Sequence, residues 1–268
     1  MILPPLRQKV QNNPKTKLTW LVILFLFQPQ EQDMTIQDVF DGSRYLSETI
    51  NVLKSHHLDV TVGDDFEEYA RIVEKGRPEQ PLGPPFDPQR QFLPKARGIW
   101  AVGRNPKGEV VHTQAMRLLD LYDQTLARYM SARFGEFPPG GVGINLEDSW
   151  FRPGPGAKEI TGRAVYHGEM WLKDDSAYRG RGLIDVLSRF AFLTSMLHWQ
   201  PDYLFGFMLR SIARRGLADR EGYMHTDPYC LSWQIDGRNE PIDCNMVWMA
   251  VEDLRHVMHV PLDHRVAA

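Results

Sequence analysis

Two arginines interleaved with two glycines, Arg179-Gly180-Arg181-Gly182, stand just before a run in which Leu183, Val186, Leu187, Phe190, Leu193, Thr194 and Leu197 recur at the three-and-four spacing of one helix face. The glycines therefore open a helix. The first amides of a helix have no internal partner and carry the positive end of its dipole, so anions bind there. Glycine removes the side chains that would hold a phosphate off the backbone, and the arginines add fixed positive charge suited to multidentate phosphate contacts. A pyrophosphate suits this arrangement; the alternative is an exposed basic turn.

Upstream, Val165, His167, Met170 and Leu172, with aromatic Tyr166 and Trp171, form a run short enough for a strand covered on both faces. Glu169 interrupts it. A carboxylate among apolar residues is a candidate general base, and the competing reading is a strand glutamate facing solvent or paired with Arg163. His167 lies two residues away and shares its face. Asp174 and Asp175 are better suited to shaping the loop that follows.

Strand, basic glycine loop and helix in this order resemble the GNAT superfamily of acyl-CoA-dependent N-acyltransferases, whose loop reads Arg/Gln-x-x-Gly-x-Gly/Ala. The match is Arg179-Gly180-Arg181-Gly182-Leu183-Ile184, preceded by Tyr178, with Ile184 where the family has a small residue. Gly222-Tyr223 is similar to the Gly-Phe that ends the family's fourth helix. The resemblance spans roughly residues 58 to 251 and is strongest at 166 to 190. It implies an α/β (α+β) fold with a mixed, mostly antiparallel central sheet flanked by helices. It also implies acetyl-CoA or another acyl-CoA as donor, bound by Trp171, Leu172, Lys173, Arg179, Gly180, Arg181, Gly182, Leu183 and Ile184, and the amine of a small molecule or peptide as acceptor.

In such an enzyme a strand amide between Trp171 and Asp174 would polarise the thioester carbonyl, and Glu169 would take the ammonium proton. The family's helix tyrosine is missing near Ala218, which leaves Tyr223, Tyr229 or water to protonate the thiolate. Two further readings stay open. The segment GEVVHTQAMRLLDLYDQTLARYM and an extra N-terminal helix resemble acyl-homoserine-lactone and N-acyl amino acid synthases, and Ile184 with the missing tyrosine allows a non-catalytic CoA-binding module. A P-loop and a Rossmann fingerprint are both absent from the sequence.

The 268 residues are 43% hydrophobic and 24% charged, with a net charge of -3, which argues for an ordinary core and against wholesale nucleic-acid binding. Two cysteines, Cys230 and Cys244, make no disulfide framework or metal-ligand spacing, so a reducing cytoplasm and no metal are expected. The expected partners are acyl-CoA and the amine, with no membrane span and with a homodimer allowed. Arg7, Lys9, Lys15 and Lys17 precede an apolar run, 18 to 27, of about ten residues, too short to cross a bilayer. Residues 1 to 33 are read as a leader outside the core, with Met34 as working start, Thr35 as a helix cap and a single domain over 34 to 268.

The elements that must position these residues follow from periodicity. A helix is expected from Ile36 to Leu53, broken or frayed near Gly42, then a strand over Leu58 to Val62 and the helix FEEYARIVEKG ending at Gly76. Residues 77 to 94 read as a surface loop. A hairpin is expected around Asn105-Pro106-Lys107-Gly108, and a helix face over Leu119, Tyr122, Leu126, Tyr129 and Met130. Residues 135 to 162 are too rich in glycine and proline for an element interior and read as an acceptor wall or lid. A strand at Asp202 to Met208, a helix over 209 to 222 and two strands around Asp236-Gly237 complete the chain, with Cys230 and Cys244 facing across the last hairpin.

Overall fold

Thr35 starts the first helix, α1 (Ile36–Ser55): its hydroxyl accepts from the Asp38 amide at 3.1 Å, and the Asp38 carboxylate accepts from the Thr35 amide at 2.9 Å. The structure is a computed structural model that describes residues 34–262. The expected leader, residues 1 to 33, lies outside the described residues. The chain continues through β1 (Asp59–Gly63), α2 (Phe66–Gly76, capped by Asp65), the hairpin β2 (Gly98–Arg104) and β3 (Val110–Leu121), α3 (Leu126–Arg133), β4 (Ile144–Phe151) and α4 (Pro155–Glu159). It then forms β5 (Gly162–Leu172), α5 (Leu183–Trp199), β6 (Tyr203–Leu209), α6 (Arg210–Ala213), α7 (Leu217–Glu221), β7 (His225–Ile235), β8 (Ile242–Ala250) and α8 (Val251–Val257).

The strands make one sheet in the order β1-β2-β3-β5-β6-β8-β7-β4, antiparallel everywhere except between β5 and β6. This is the mixed, mostly antiparallel sheet flanked by helices that the sequence implies. Along β2, Trp100 and Val102 join a core cluster with residues of α2, α3 and α4, while Ala101 joins one with Leu53 of α1 and Leu183, Val186, Leu187 and Phe190 of α5. Neighbouring strand residues point to opposite faces, so helices cover the sheet on both sides. No helix among the described residues is long and apolar enough to cross a membrane.

Several expectations need correcting. α1 is unbroken at Gly42, which is buried where a Cβ would lie 3.2 Å from Leu197 and 3.3 Å from the Met258 sulfur. That glycine admits a close approach between helices. Leu119 belongs to β3 and Tyr122 to the turn after it, because pairing with β5 carries the strand to Leu121. The segment read as one long loop holds β4, an edge strand paired with β7, and α4. Gly216, at φ +75°, divides the expected helix after β6 into α6 and α7. Cys244 pairs with Leu231, because an irregularity between Asp227 and Leu231 shifts the register; both thiols are free and buried, and burial pushes each up to about 12.

Gly42→Leu should destabilise the chain by about 1–3 kcal/mol through overpacking at Leu197 and Met258, measured by urea denaturation. A stabilising effect, as expected for filling an exposed helix position, would contradict the close approach.

Candidate active site

The parallel pair is short. Ala164, Val165 and Tyr166 pair with Tyr203, Leu204 and Phe205, after which β5 stays with β3 as far as Leu172 and β6 stays with β8 as far as Leu209. The two strands thus part in the middle of the sheet and leave facing edges whose backbone groups have no strand between them. Just beyond the fork β5 bulges: Ala115 pairs with Gly168 and Thr113 with Trp171, so Glu169 and Met170 together oppose Gln114. Glu169 sits at φ +58°, in the left-handed region that is uncommon for residues other than glycine.

The bulge is anchored by that glutamate. One carboxylate oxygen accepts from the Arg77 guanidinium, and the other accepts from the Gly83 amide at 2.9 Å. The Arg77 side chain is only 2% exposed, and Gly83 must lack a Cβ because one would lie 2.6 Å from the carboxylate. The ion partner of Glu169 is therefore Arg77, from the turn after α2, and not Arg163. Asp175 shapes the next loop by accepting from the Ala177 amide at 2.9 Å, and exposed Asp174 lies 3.3 Å from Arg179.

Gly180 and Gly182 both adopt φ +73°, and α5 begins at Leu183. None of the amides of residues 180 to 184 has a backbone acceptor among the described residues. Arg179, Gly180, Arg181 and Gly182 are exposed, Ile184 is half-buried and Leu183 is buried against the sheet. The loop has the geometry and charge of an anion cradle at the start of a 17-residue helix. Lys173 donates its amide to the Val111 carbonyl at 2.8 Å, so it is not the free strand donor. Backbone direction alternates along an antiparallel strand; hence Leu172 turns its amide and carbonyl away from β3, toward the gap, and Arg179 reaches that carbonyl at 3.4 Å. Trp171 and Lys173 instead line a groove of about 950 Å³ with Arg71, Ile72 and Lys75 of α2.

Tyr223, just past the left-handed Gly222 that ends α7, meets the fork from the α5 face. Its hydroxyl lies 2.8 Å from His167 Nδ1, and His167 Nε2 lies 3.1 Å from Gln114 Oε1, whose amide nitrogen donates to the Leu187 carbonyl at 3.0 Å. Gly206 of β6 leaves room for this: a Cβ there would lie 2.9 Å from the His167 carbonyl and 3.1 Å from the Tyr223 hydroxyl. Tyr229 is not part of the group; it packs edge-on against Trp150 and under Arg210. Asp227 caps α4 by accepting from Gly156 and Ala157 at 3.1 and 3.0 Å, and His225 pairs with Asp253 at 2.8 Å. Among the described residues no group of three or more His, Cys, Asp or Glu could hold a metal.

The sequence singles out Glu169 as a candidate base, whereas in the structure both its carboxylate oxygens are engaged by Arg77 and Gly83; it singles out Tyr223 and the glycine loop as well, and Arg77, Gly83 and Gln114 go unnoticed in it. The signal for Gln114 is the polar run His112-Thr113-Gln114 inside a strand bounded by Val110-Val111 and Ala115-Met116, all three polar residues being fully buried.

No family model matches the sequence, and no curated protein matches it. Solved structures similar to the chain include Arabidopsis thaliana NAA60 in complex with acetyl-CoA, at 11% identity and TM-score 0.44, covering 73% of this chain and 99% of that one. An N-acetyltransferase from Staphylococcus aureus Mu50 is similar at 10% identity and TM-score 0.40, covering 73% and 98%. The spermidine/spermine N-acetyltransferase SpeG from Vibrio cholerae in complex with manganese ions is similar at 8% identity and TM-score 0.43, covering 77% and 99%. Likeness at these identities is one of shape, and what this chain does rests on its own site.

Breaking the anchor should be costly. Glu169→Ala strands a buried guanidinium and should cost about 3–5 kcal/mol, and a double-mutant cycle with Arg77→Ala should recover part of it. Strict additivity in chemical denaturation would mean that the two groups do not interact.

Acid should weaken the fold through two histidines. Burial is the first cause that holds His167 down to about 4 and His112 to about 3, from 6.5. An unfolded chain takes up those protons near 6.5 and the folded chain does not, so their contribution is complete above about 6.5 and is lost as the pH falls toward the folded values. Each should add a slope of up to about 1.4 kcal/mol per pH unit in that window, read from urea midpoints at stepped pH and flattened in His167→Gln. A profile unaffected by the substitution would show that His167 is not buried neutral.

Proposed function

We propose that the chain is an acyl-CoA-dependent N-acyltransferase that acylates an amine. The observation that carries this reading is the fork between β5 and β6, which is bordered by the anion cradle at the start of α5, the outward backbone of Leu172 and the hydroxyl of Tyr223. The free amides of residues 180 to 184 and the side-chain-free surface at Gly180, where a Cβ would meet nothing within 4 Å, suit a pyrophosphate. When bound, acyl-CoA supplies an activated thioester carbonyl and a thiolate leaving group. Arg179 and Arg181 hold its phosphates, and Leu172 offers a preorganised N–H to the developing oxyanion. Tyr223 gives a proton to the departing sulfur. Glu169, with both oxygens engaged by Arg77 and Gly83, fixes the bulge beside the reacting carbon.

Coenzyme A should bind the wild-type chain in a calorimeter, and Arg179→Ala with Arg181→Ala should weaken it by about 2–4 kcal/mol through lost charge-assisted contacts. With an acyl-CoA and amine pair found by screening thiol release, Tyr223→Phe should lower kcat by about a hundredfold and leave the KM for acyl-CoA unchanged. Unaltered CoA affinity in the double variant would overturn the assignment of the cradle.

A further inference from the structure

The direction of every hydrogen bond in the buried polar chain is fixed by its far end. The Leu187 carbonyl can only accept, so the Gln114 group facing it is the NH₂ and the group facing His167 is the amide oxygen. An amide oxygen only accepts, so His167 carries its proton on Nε2 and leaves Nδ1 bare. Nδ1 must therefore accept from the Tyr223 O–H at 2.8 Å. The tyrosine proton points into the protein, and the oxygen lone pairs are left for the fork, beside Gly206. A group arranged this way receives a proton from the cleft before it can give one.

We infer that Tyr223 and His167 act as one proton shuttle, carrying the proton lost by the attacking nitrogen to the departing sulfur. This deepens the acyltransferase reading and rests on it. As the C–N bond forms, the amine nitrogen gives a proton to the Tyr223 oxygen while the phenol passes its own to His167 Nδ1. As the C–S bond breaks with its electron pair leaving on sulfur, the Tyr223 oxygen gives that proton to the thiolate and recovers the one held on Nδ1. The enzyme ends as it began, and one proton has moved from nitrogen to sulfur. His167 is a positioning residue that acts through Tyr223, and Gln114 sets its tautomer. Burial holds His167 down to about 4, so the ring rests neutral with Nδ1 bare, and the imidazolium formed in the first half of the cycle is short-lived and returns its proton to the Tyr223 oxygen. The titratable groups that face the pair are His112 on β3, itself neutral, Tyr166 on β5 and Glu221 on α7; from α5 the Phe192 ring meets both residues edge-on, and Arg189 lies beside Gly222.

The test uses the full chain with ¹⁵N-labelled histidine. Long-range ¹H–¹⁵N spectra should show His167 as the Nε2–H tautomer with an unprotonated Nδ1, unchanged on acidification to about pH 5, since burial keeps the ring neutral. Adding coenzyme A should shift the Nδ1 resonance, and Tyr223→Phe should abolish that shift while calorimetry still shows CoA bound. His167→Gln should lower kcat and leave the KM for acyl-CoA unchanged. An Nδ1–H tautomer, or an Nδ1 signal unmoved by CoA that calorimetry shows to be bound, would sink the shuttle alone. Failure of CoA to bind at all would remove the acyltransferase reading and the shuttle with it.

Discussion

The contact between Arg77 and Glu169 is the constraint on which the fork depends. A non-glycine residue in the left-handed region costs roughly 1–2 kcal/mol, so β5 would pair regularly with β3 through Glu169 if nothing opposed it. Regular pairing would turn the side chain of every later residue of β5 to the opposite face. Trp171 would then point toward α5 and Leu172 toward α2, emptying a core position occupied by Leu172. The carboxylate prevents this by reaching a buried guanidinium and the Gly83 amide at once. Removing one member of such a pair costs more than the strained backbone does, and the bulge is the arrangement that survives.

The same bulge divides the chemistry between the two faces of the sheet. On the α2 side it holds a charged pair and the turn carrying Gly83; on the α5 side it leaves Gln114 and His167 adjacent, because Gln114 opposes two residues of β5. Gly168, which joins His167 to Glu169 and pairs with Ala115, is restricted to glycine by Phe86, whose ring edge would lie 2.9 Å from a Cβ. A Phe86–Tyr166 stack with centroids 5.5 Å apart then closes the floor of the fork on the α2 side. An apolar floor keeps the donors at the fork in a low-dielectric setting, where each hydrogen bond is stronger than it would be in water.

Legibility in the sequence follows from the range of the interaction. β5, the glycine loop and α5 are readable because period and turn chemistry are local, and Thr35 and Asp65 are readable as caps for the same reason. Glu169 stands out as a charge in an apolar run, but its partner lies 92 residues away, and no local rule distinguishes Arg77 from Arg163. β4 hides because INLEDSWF is an edge strand with exposed Leu146, Glu147 and Asp148, and its pairing with β7 is interrupted between Asn145 and Trp150. Edge strands need little apolar alternation. The same holds for the break at Gly216, where a run of helix formers conceals a left-handed residue.

That break decides where the tyrosine stands. A continuous helix over 209 to 222 would advance about 1.5 Å per residue and carry its end far from β6. Gly216 instead turns the chain after α6, and Gly222, also left-handed at φ +88°, ends α7 with the Tyr223 amide bonded back to the Ala218 carbonyl at 3.0 Å. The ring is thereby directed inward between His167 and Phe192, where it meets Phe192 edge-on at 5.1 Å. A residue five positions beyond Ala218 thus brings its hydroxyl to the fork from a helix end. The resemblance would put a tyrosine inside a helix; in this chain one stands in the turn that follows the helix, and two glycines make that placement geometrically possible.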